Sequence, residues 1–230
     1  MEFIILLIIV VIMYLILKFI FDFNMKKIKE LGENKELDEL TQKYPENIEI
    51  CKWYLKKLKN ENVKTEEDKN SNATLYLVMS NKIFIANLKD SYTRIQTIAH
   101  ECLHSIQSKK LLWFNFIFSN IYLVYFIAIC ILGVLNLLPI KMTFMAIFIL
   151  FSLVYYAVRT YLENDAMIKA RFLAKEYMQE KAISTQEEID KIIAQYDCLN
   201  DIGIKCTNFK FLSSILLKVI ILIVIFGCWM

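Results

Sequence analysis

Residues 97–138 of the chain read TIAHECLHSIQSKKLLWFNFIFSNIYLVYFIAICILGVLNLL. The first part of this stretch has no proline or glycine, so we predict a helix that begins at an N-cap near Asp90 or Ser91 and ends near Ser108. The second part, Trp113 to Leu138, is almost wholly apolar and long enough to cross a hydrocarbon core of about 30 Å. A polar helix that leads almost directly into a membrane span is therefore expected.

Further apolar blocks indicate an integral membrane protein. The chain is 57% hydrophobic with a mean hydropathy of +0.43, which is too apolar for an ordinary soluble domain. The other predicted spans are Phe3–Phe21, Met142–Val158 and Leu212–Trp229. The first block opens with Met1-Glu2 and no basic residues, so we interpret it as a membrane helix and not as a cleaved signal peptide. The second and third spans form a hairpin around Pro139.

The distribution of basic residues predicts the orientation. Residues 24–111 carry 16 Lys and Arg, residues 163–210 carry seven, and the hairpin loop carries only Lys141. By the positive-inside rule both polar segments lie in the cytoplasm and both termini outside, in a plasma membrane of bacterial type. Lys18 and Lys218 fall inside spans, where we expect their long side chains to snorkel toward an interface.

The segments combine into one predicted fold, a mainly α membrane protein with a cytoplasmic α+β domain. They are residues 1–23 (first span), 24–111 (cytoplasmic), 112–162 (membrane hairpin), 163–210 (cytoplasmic, helical) and 211–230 (last span). The cytoplasmic elements predicted are helices at Met25–Leu31, Lys35–Lys43, Asn47–Leu58 and Glu163–Lys181, an exposed loop at 60–73, a β-hairpin from Thr74–Met79 and Lys82–Ala86, and a helix to about Leu199 opened by a capping box at Ser184–Glu187. The net charge of +3 is spread over these segments, so no nucleic-acid binding is predicted.

Both histidines of the chain lie in the motif His100-Glu101-Cys102-Leu103-His104. On a helix, residues four apart share a face with Cβ atoms about 5 to 6 Å apart, so the two imidazoles can converge on one metal ion. Zinc suits this set, because a catalytic zinc takes three protein ligands and leaves a position for water. Glu101 would be the general base that activates this water. The alternative is a surface helix with two unrelated histidines.

A third ligand must be Asp, Glu or Cys, since no histidine remains. The membrane hairpin returns the chain at Glu163 and Asp165, the first acidic residues after Glu101. Glu163 is the leading candidate, and Asp165, about 200° around the helix, is expected to orient a histidine or an arginine without binding the metal itself. The alternative for this pair is an acidic helix cap in which Arg159 is a partner of Glu163.

Other residues near the motif are less informative. Cys102 points away from the face of the two histidines, so a packing role is predicted, and the six cysteines lack CxxC spacing and predict no disulfide. For the oxyanion of an acyl-transfer reaction the sequence leaves Tyr161, Arg171 and Tyr177 open.

The motifs resemble those of the YugP-type membrane zinc metallopeptidases. The resemblance rests on His100-Glu101-x-x-His104-Ser-Ile-Gln, on the membrane hairpin and on Glu163-x-Asp165-Ala166. More distantly, the order of motifs is similar to that of HtpX and the type I CAAX prenyl proteases. The resemblance implies a zincin-like domain, zinc ligands at His100, His104 and Glu163, and a catalytic base at Glu101. The Asp-His-Tyr-Asp-Pro element of YugP-type proteins is missing here, and Cys102-Leu103 replaces their small residue and glycine.

The resulting hypothesis is a membrane-embedded zinc metalloendopeptidase that acts on peptide or membrane-protein substrates. The alternative is an inactive zinc-binding membrane scaffold or regulatory protein. Glu101 favours the enzyme, because a structural zinc site needs no carboxylate beside the metal.

Overall fold

The computed structural model describes residues 2–21, 25–68, 73–86 and 91–227. Its elements in chain order are α1 (Glu2–Ile20), α2 (Met25–Gly32), α3 (Lys35–Gln42), α4 (Asn47–Lys57), β1 (Lys64–Asp68), β2 (Leu75–Leu77), β3 (Lys82–Ala86), α5 (Arg94–Ile106), α6 (Lys109–Val134), α7 (Lys141–Lys181) and α8 (Gln186–Gly227). The predicted mainly α architecture with a small β element is confirmed.

The chain divides into two compact units. The first, here called the apolar unit, comprises Met1–Phe23, Trp113–Tyr161 and Lys205–Met230. The second, the polar unit, comprises Asn24–Leu112 and Leu162–Ile204, so it is assembled from two separate parts of the chain.

Three described helices, α6, α7 and α8, are long and apolar enough to cross a membrane. In the first predicted span, α1, the apolar stretch found is the shorter Leu7–Ile20. Large apolar side chains such as Val124, Ile131 and Leu150 are exposed on these helices. Helices of this kind are consistent with a membrane protein, because lipid takes the place of a protein core around such side chains.

Aromatic side chains pack in the core of the apolar unit, and two of its helices approach closely at one glycine. Tyr122 stacks on Phe148 at a centroid distance of 5.2 Å. A Cβ at Gly133 would lie 2.8 Å from the ring of Phe226, so α6 approaches α8 closely at this glycine. Nζ of Lys218, whose side chain is predicted to snorkel, lies 4.4 Å from the ring centroid of Tyr122, a distance typical of a cation–π contact.

Arg94, at the start of α5, holds the turn between α3 and α4. Its guanidinium is fully buried and bonds at 2.8–2.9 Å to the carbonyl oxygens of Thr41, Tyr44 and Pro45 and to Oδ1 of Asn47. These acceptors satisfy a charge that burial would otherwise make costly. The arrangement fixes α5, the helix with both histidines, against the preceding helices.

The sheet has the strand order β1-β3-β2. β2 and β3 pair antiparallel, which confirms the predicted hairpin. The prediction of a loop over residues 60–73 was wrong in part, because β1 pairs parallel with β3 inside that segment. The strand reads KTEED and has no alternating apolar residues. Its stability comes from backbone pairing with β3, whose Ile83 and Ile85 are fully buried, and no sequence pattern reports such pairing.

Several helix ends differ from the prediction. α5 begins at Arg94 and ends at Ile106, and the candidate cap Asp90 lies outside the described residues. The third predicted span and the helix after it form one helix, α7, since residues 159–162 contain no helix breaker. The last predicted helix and span likewise merge into α8. The capping box that opens α8 uses Thr185 and Glu188, not Ser184 and Glu187.

Candidate metal centre

The two histidines of α5 face each other one helical turn apart. Their Nε2 atoms are 3.0 Å apart, and the ring planes are nearly perpendicular at 89°. Both side chains are mostly buried, with 19% of His100 and 12% of His104 exposed. Two ring nitrogens directed at one point in a partly dry setting form the beginning of a metal site.

Glu163 of α7 belongs to the same group. Its Oε2 lies 3.5 Å from Nε2 of His100 and 3.6 Å from Nε2 of His104. Burial alone lowers the pKa of His104, but the carboxylates of Glu163 and Glu101 outweigh burial, so the net pKa is raised. The structure therefore brings together the three residues that the sequence singled out as candidate ligands.

Glu101 lies beside the histidines and is held from the other side by the sheet. Its Oε1 is 4.0 Å from Nε2 of His100, and its Oε2 accepts a 2.7 Å hydrogen bond from the backbone N–H of Tyr76 in β2. Burial raises the pKa of Glu101, although the histidines and this N–H oppose the shift. One ligand atom from each of His100, Glu101 and His104 lies within 4.8 Å of the others, so this cluster could hold a metal ion.

Asp165, which the sequence predicts to orient a histidine or an arginine, has Gln107 and Lys169 as partners. Its Oδ2 accepts a 3.1 Å hydrogen bond from Nε2 of Gln107, and Oε1 of the same glutamine lies 2.9 Å from Nδ1 of His104. Oδ1 of Asp165 pairs with Lys169 at 2.5 Å. Burial would raise the pKa of Asp165, but the bonds from Lys169 and Gln107 outweigh burial and lower it. Asp165 thus reaches the histidine through an intervening side chain.

The opposite face of α5 is packed into the core of the polar unit. Cys102 is fully buried, and its Sγ lies 3.6 Å from Sγ of the buried Cys51 on α4. Next to it, the side-chain amide of Asn60 donates to Oγ and to the carbonyl oxygen of Ser105. Cys102 therefore points away from the histidines, as the helix geometry predicts.

The residues left open for an oxyanion role have other surroundings. Arg171 pairs with Asp197 at 2.7 Å, and the buried Tyr177 packs on Trp53 at a centroid distance of 5.0 Å. Tyr161 is exposed. None of these contacts assigns an oxyanion role.

Sequence reasoning missed Gln107 and the backbone amide of Tyr76. Gln107 follows His104 by three residues, a spacing that places both on one face of a helix and could have indicated the contact. The amide of Tyr76 has no sequence signal, because every residue except proline carries one.

Comparison with protein-family models, with curated proteins and with solved structures finds no match to this chain.

Proposed function

We propose that the protein is a membrane-embedded zinc metallopeptidase that hydrolyses peptide bonds. The observation that carries this proposal is the triangle formed by Nε2 of His100, Nε2 of His104 and Oε2 of Glu163. Its edges are 3.0, 3.5 and 3.6 Å.

The size of this triangle suits zinc. Ligand atoms placed roughly 2.0 to 2.2 Å from a tetrahedral zinc are about 3.3 to 3.6 Å from one another. The three edges lie close to this range, and the donor set of two imidazoles and one carboxylate is one that catalytic zinc uses. Three protein ligands leave one position for water, as a hydrolytic site requires.

Glu101 is placed to move protons. A zinc ion in this site would lower the pKa of water and polarise the carbonyl group of a substrate. Glu101 has one oxygen fixed by the N–H of Tyr76 and the other turned toward the histidines. Its role is to take a proton from the attacking water and to return it to the leaving amine.

β2 is the element that we propose to bind the substrate backbone. It is an edge strand of the sheet, and it lies beside Glu101 through Tyr76. Its side chains Leu75 and Leu77 are partly exposed. An extended peptide could pair with such an edge by strand addition and present its scissile bond beside the triangle of His100, His104 and Glu163.

The membrane arrangement of the proposal follows from the charges. Four spans, including α1, would place both termini outside, and the basic segments 24–111 and 163–210 would lie in the cytoplasm of a bacterial cell. The polar unit would then be a zincin-like domain that cleaves peptides or membrane proteins at the cytoplasmic face.

The test uses the full chain purified in detergent micelles. Its zinc content is measured by mass spectrometry, and hydrolysis is measured on an unstructured protein such as casein. We expect about one zinc per chain, and Glu101→Gln should keep the metal while abolishing hydrolysis. Glu67→Gln, at an exposed glutamate of β1, is the matched control and should leave both unchanged.

Two results would contradict the proposal. Wild-type protein that binds no zinc would rule out the metal site, and hydrolysis that persists in Glu101→Gln would rule out the assigned base. Zinc binding without hydrolysis of any peptide substrate would instead favour the inactive scaffold.

A further inference from the structure

Gln107 occupies a position where three hydrogen bonds determine the orientation of its side chain. It is the C-cap of α5, with extended backbone, and its N–H bonds to the carbonyl oxygen of His104 at 3.2 Å. Its amide nitrogen Nε2 donates to the carbonyl oxygen of Leu162 at 2.8 Å and to Oδ2 of Asp165 at 3.1 Å. Both of these partners only accept, so both protons of the amide are used.

The hydrogen bond between the side chains of Gln107 and His104 then has one possible direction. With Nε2 committed to the two acceptors, the amide oxygen Oε1 faces Nδ1 of His104 at 2.9 Å. Since Oε1 can only accept, Nδ1 must carry the ring proton. In the neutral ring, Nε2 of His104 is then the unprotonated nitrogen, and it points at His100 and Glu163. This is the tautomer that a metal ligand requires.

The same amide also fixes the segment that carries the acidic member of the group. Leu162 and Asp165 flank Glu163 on α7, directly before it and two residues after it. One side chain at the end of α5 therefore sets both the ring of His104 and the position of Glu163. Lys169 pairs with Asp165 and balances the negative charge of this carboxylate.

We propose that Gln107 is a positioning residue that fixes the tautomer of His104 and holds Glu163 in register with the two histidines. This inference rests on the proposed zinc site. It extends that site by a link from His104 through Gln107 to Asp165.

The first test reads the tautomer without metal. The chain contains only two histidines, so nitrogen NMR of histidine-labelled, metal-free protein in detergent shows at most four ring-nitrogen signals. At a pH where the rings are neutral, we expect His104 to show protonated Nδ1 and unprotonated Nε2 in the wild type and a mixture of tautomers in Gln107→Leu, with His100 unchanged. Gln179→Leu, at a glutamine whose amide bonds to Gln186 on the surface, is the matched control and should retain the wild-type pattern.

The second test reads zinc affinity by competition with a chelator. Gln107→Leu should weaken zinc binding about 10- to 100-fold, the range found when the outer partner of a ligand is removed. Gln107→Glu should also weaken zinc binding, because the new carboxylate would face the carboxylate of Asp165. Adding Asp165→Asn to Gln107→Glu should recover part of the loss, since the new amide can donate to the new carboxylate while the bond to the carbonyl oxygen of Leu162 stays lost.

The outcomes separate this inference from the proposed function. Zinc binding and a His104 tautomer unchanged in Gln107→Leu would overturn the positioning role while leaving the zinc site in place. Failure of Asp165→Asn to restore any zinc affinity to Gln107→Glu would overturn the link through Asp165, and this comparison holds even if Gln107→Leu does not fold. A wild-type chain that binds no zinc would overturn the proposed function itself.

Discussion

Oε2 of Glu163 lies 3.6 Å from Nε2 of His104, so a side chain of α7 completes a group that begins on α5. This contact makes Glu163, and not Asp165, the third member of the triangle. Helix geometry explains the difference, because residues two apart point about 200° away from each other. In the structure Asp165 is directed to Gln107 and Lys169.

Replacing Glu163 with Ala should therefore lower zinc affinity by more than the roughly 10- to 100-fold loss caused by removing an outer partner. Asp165→Asn is the matched control. Its remaining carbonyl oxygen still accepts from Gln107, so we expect a smaller loss. Competition with a chelator measures both affinities. The reverse order of losses would transfer the third-ligand role to Asp165.

The backbone amide of Tyr76 should matter for hydrolysis and not for metal binding. Tyr76→Pro removes the N–H that donates to Glu101, and proline is tolerated in an edge strand where this N–H faces away from the neighbouring strand. Tyr76→Ala removes the same side chain but keeps the N–H. We expect zinc content to be equal in both variants and kcat to fall at least about tenfold further in Tyr76→Pro. Equal kcat values would show that the amide does not position Glu101.

The fold was predictable wherever one pattern determined an element. Helices α2, α3 and α4 follow the predicted limits to within a residue, and the β2-β3 hairpin lies where β-prone runs flank Ser80-Asn81. Asn81 takes the left-handed conformation that such a turn needs, with φ of 48°. β1 and the joined helices α7 and α8 were missed, because they depend on strand pairing and on helix continuity across a change from polar to apolar sequence.

The candidate site was predictable where the chemistry of the residue types is restrictive. A chain with two histidines leaves few ways to build a metal site, and the spacing of His100 and His104 determines their common face. Topology then indicated Glu163. The partners of these residues were not predictable in detail, since the contacts of Gln107 with Leu162 and Asp165 depend on how α5 packs against α7.

The buried Arg94 should be important for the stability of the polar unit. Arg94→Leu leaves three carbonyl oxygens and Oδ1 of Asn47 without this donor, and we expect a loss of about 3 kcal/mol or more in the free energy of unfolding. Arg171→Leu is the matched control, because the ion pair with Asp197 is partly exposed and should contribute less than about 1 kcal/mol. Unfolding in detergent measures both. Similar losses in the two variants would mean that the four hydrogen bonds of Arg94 add little to the free energy of unfolding.

Glu188 should make the stability of the start of α8 depend on pH. The backbone N–H of Thr185 and, after it, the ammonium of Lys43 lower the pKa of this carboxylate. The folded state therefore binds the proton less tightly than the unfolded state does. The resulting stability is fully present above the unfolded pKa of about 4.3, and it is lost as the pH falls through the lower, folded value.

The melting temperature of the wild type should consequently exceed that of Glu188→Gln at pH 7, and the difference should vanish in acid. Glu187→Gln, at the neighbouring acid of the same turn, controls for the general effect of a negative charge near the helix N-terminus. Because Glu187 is not part of the box with Thr185, its variant should show the smaller difference at pH 7. A contribution from the charge must disappear once the carboxylate is protonated in both the folded and the unfolded state. If the difference in melting temperature between wild type and Glu188→Gln persisted below the folded pKa, the stabilisation would therefore come from packing.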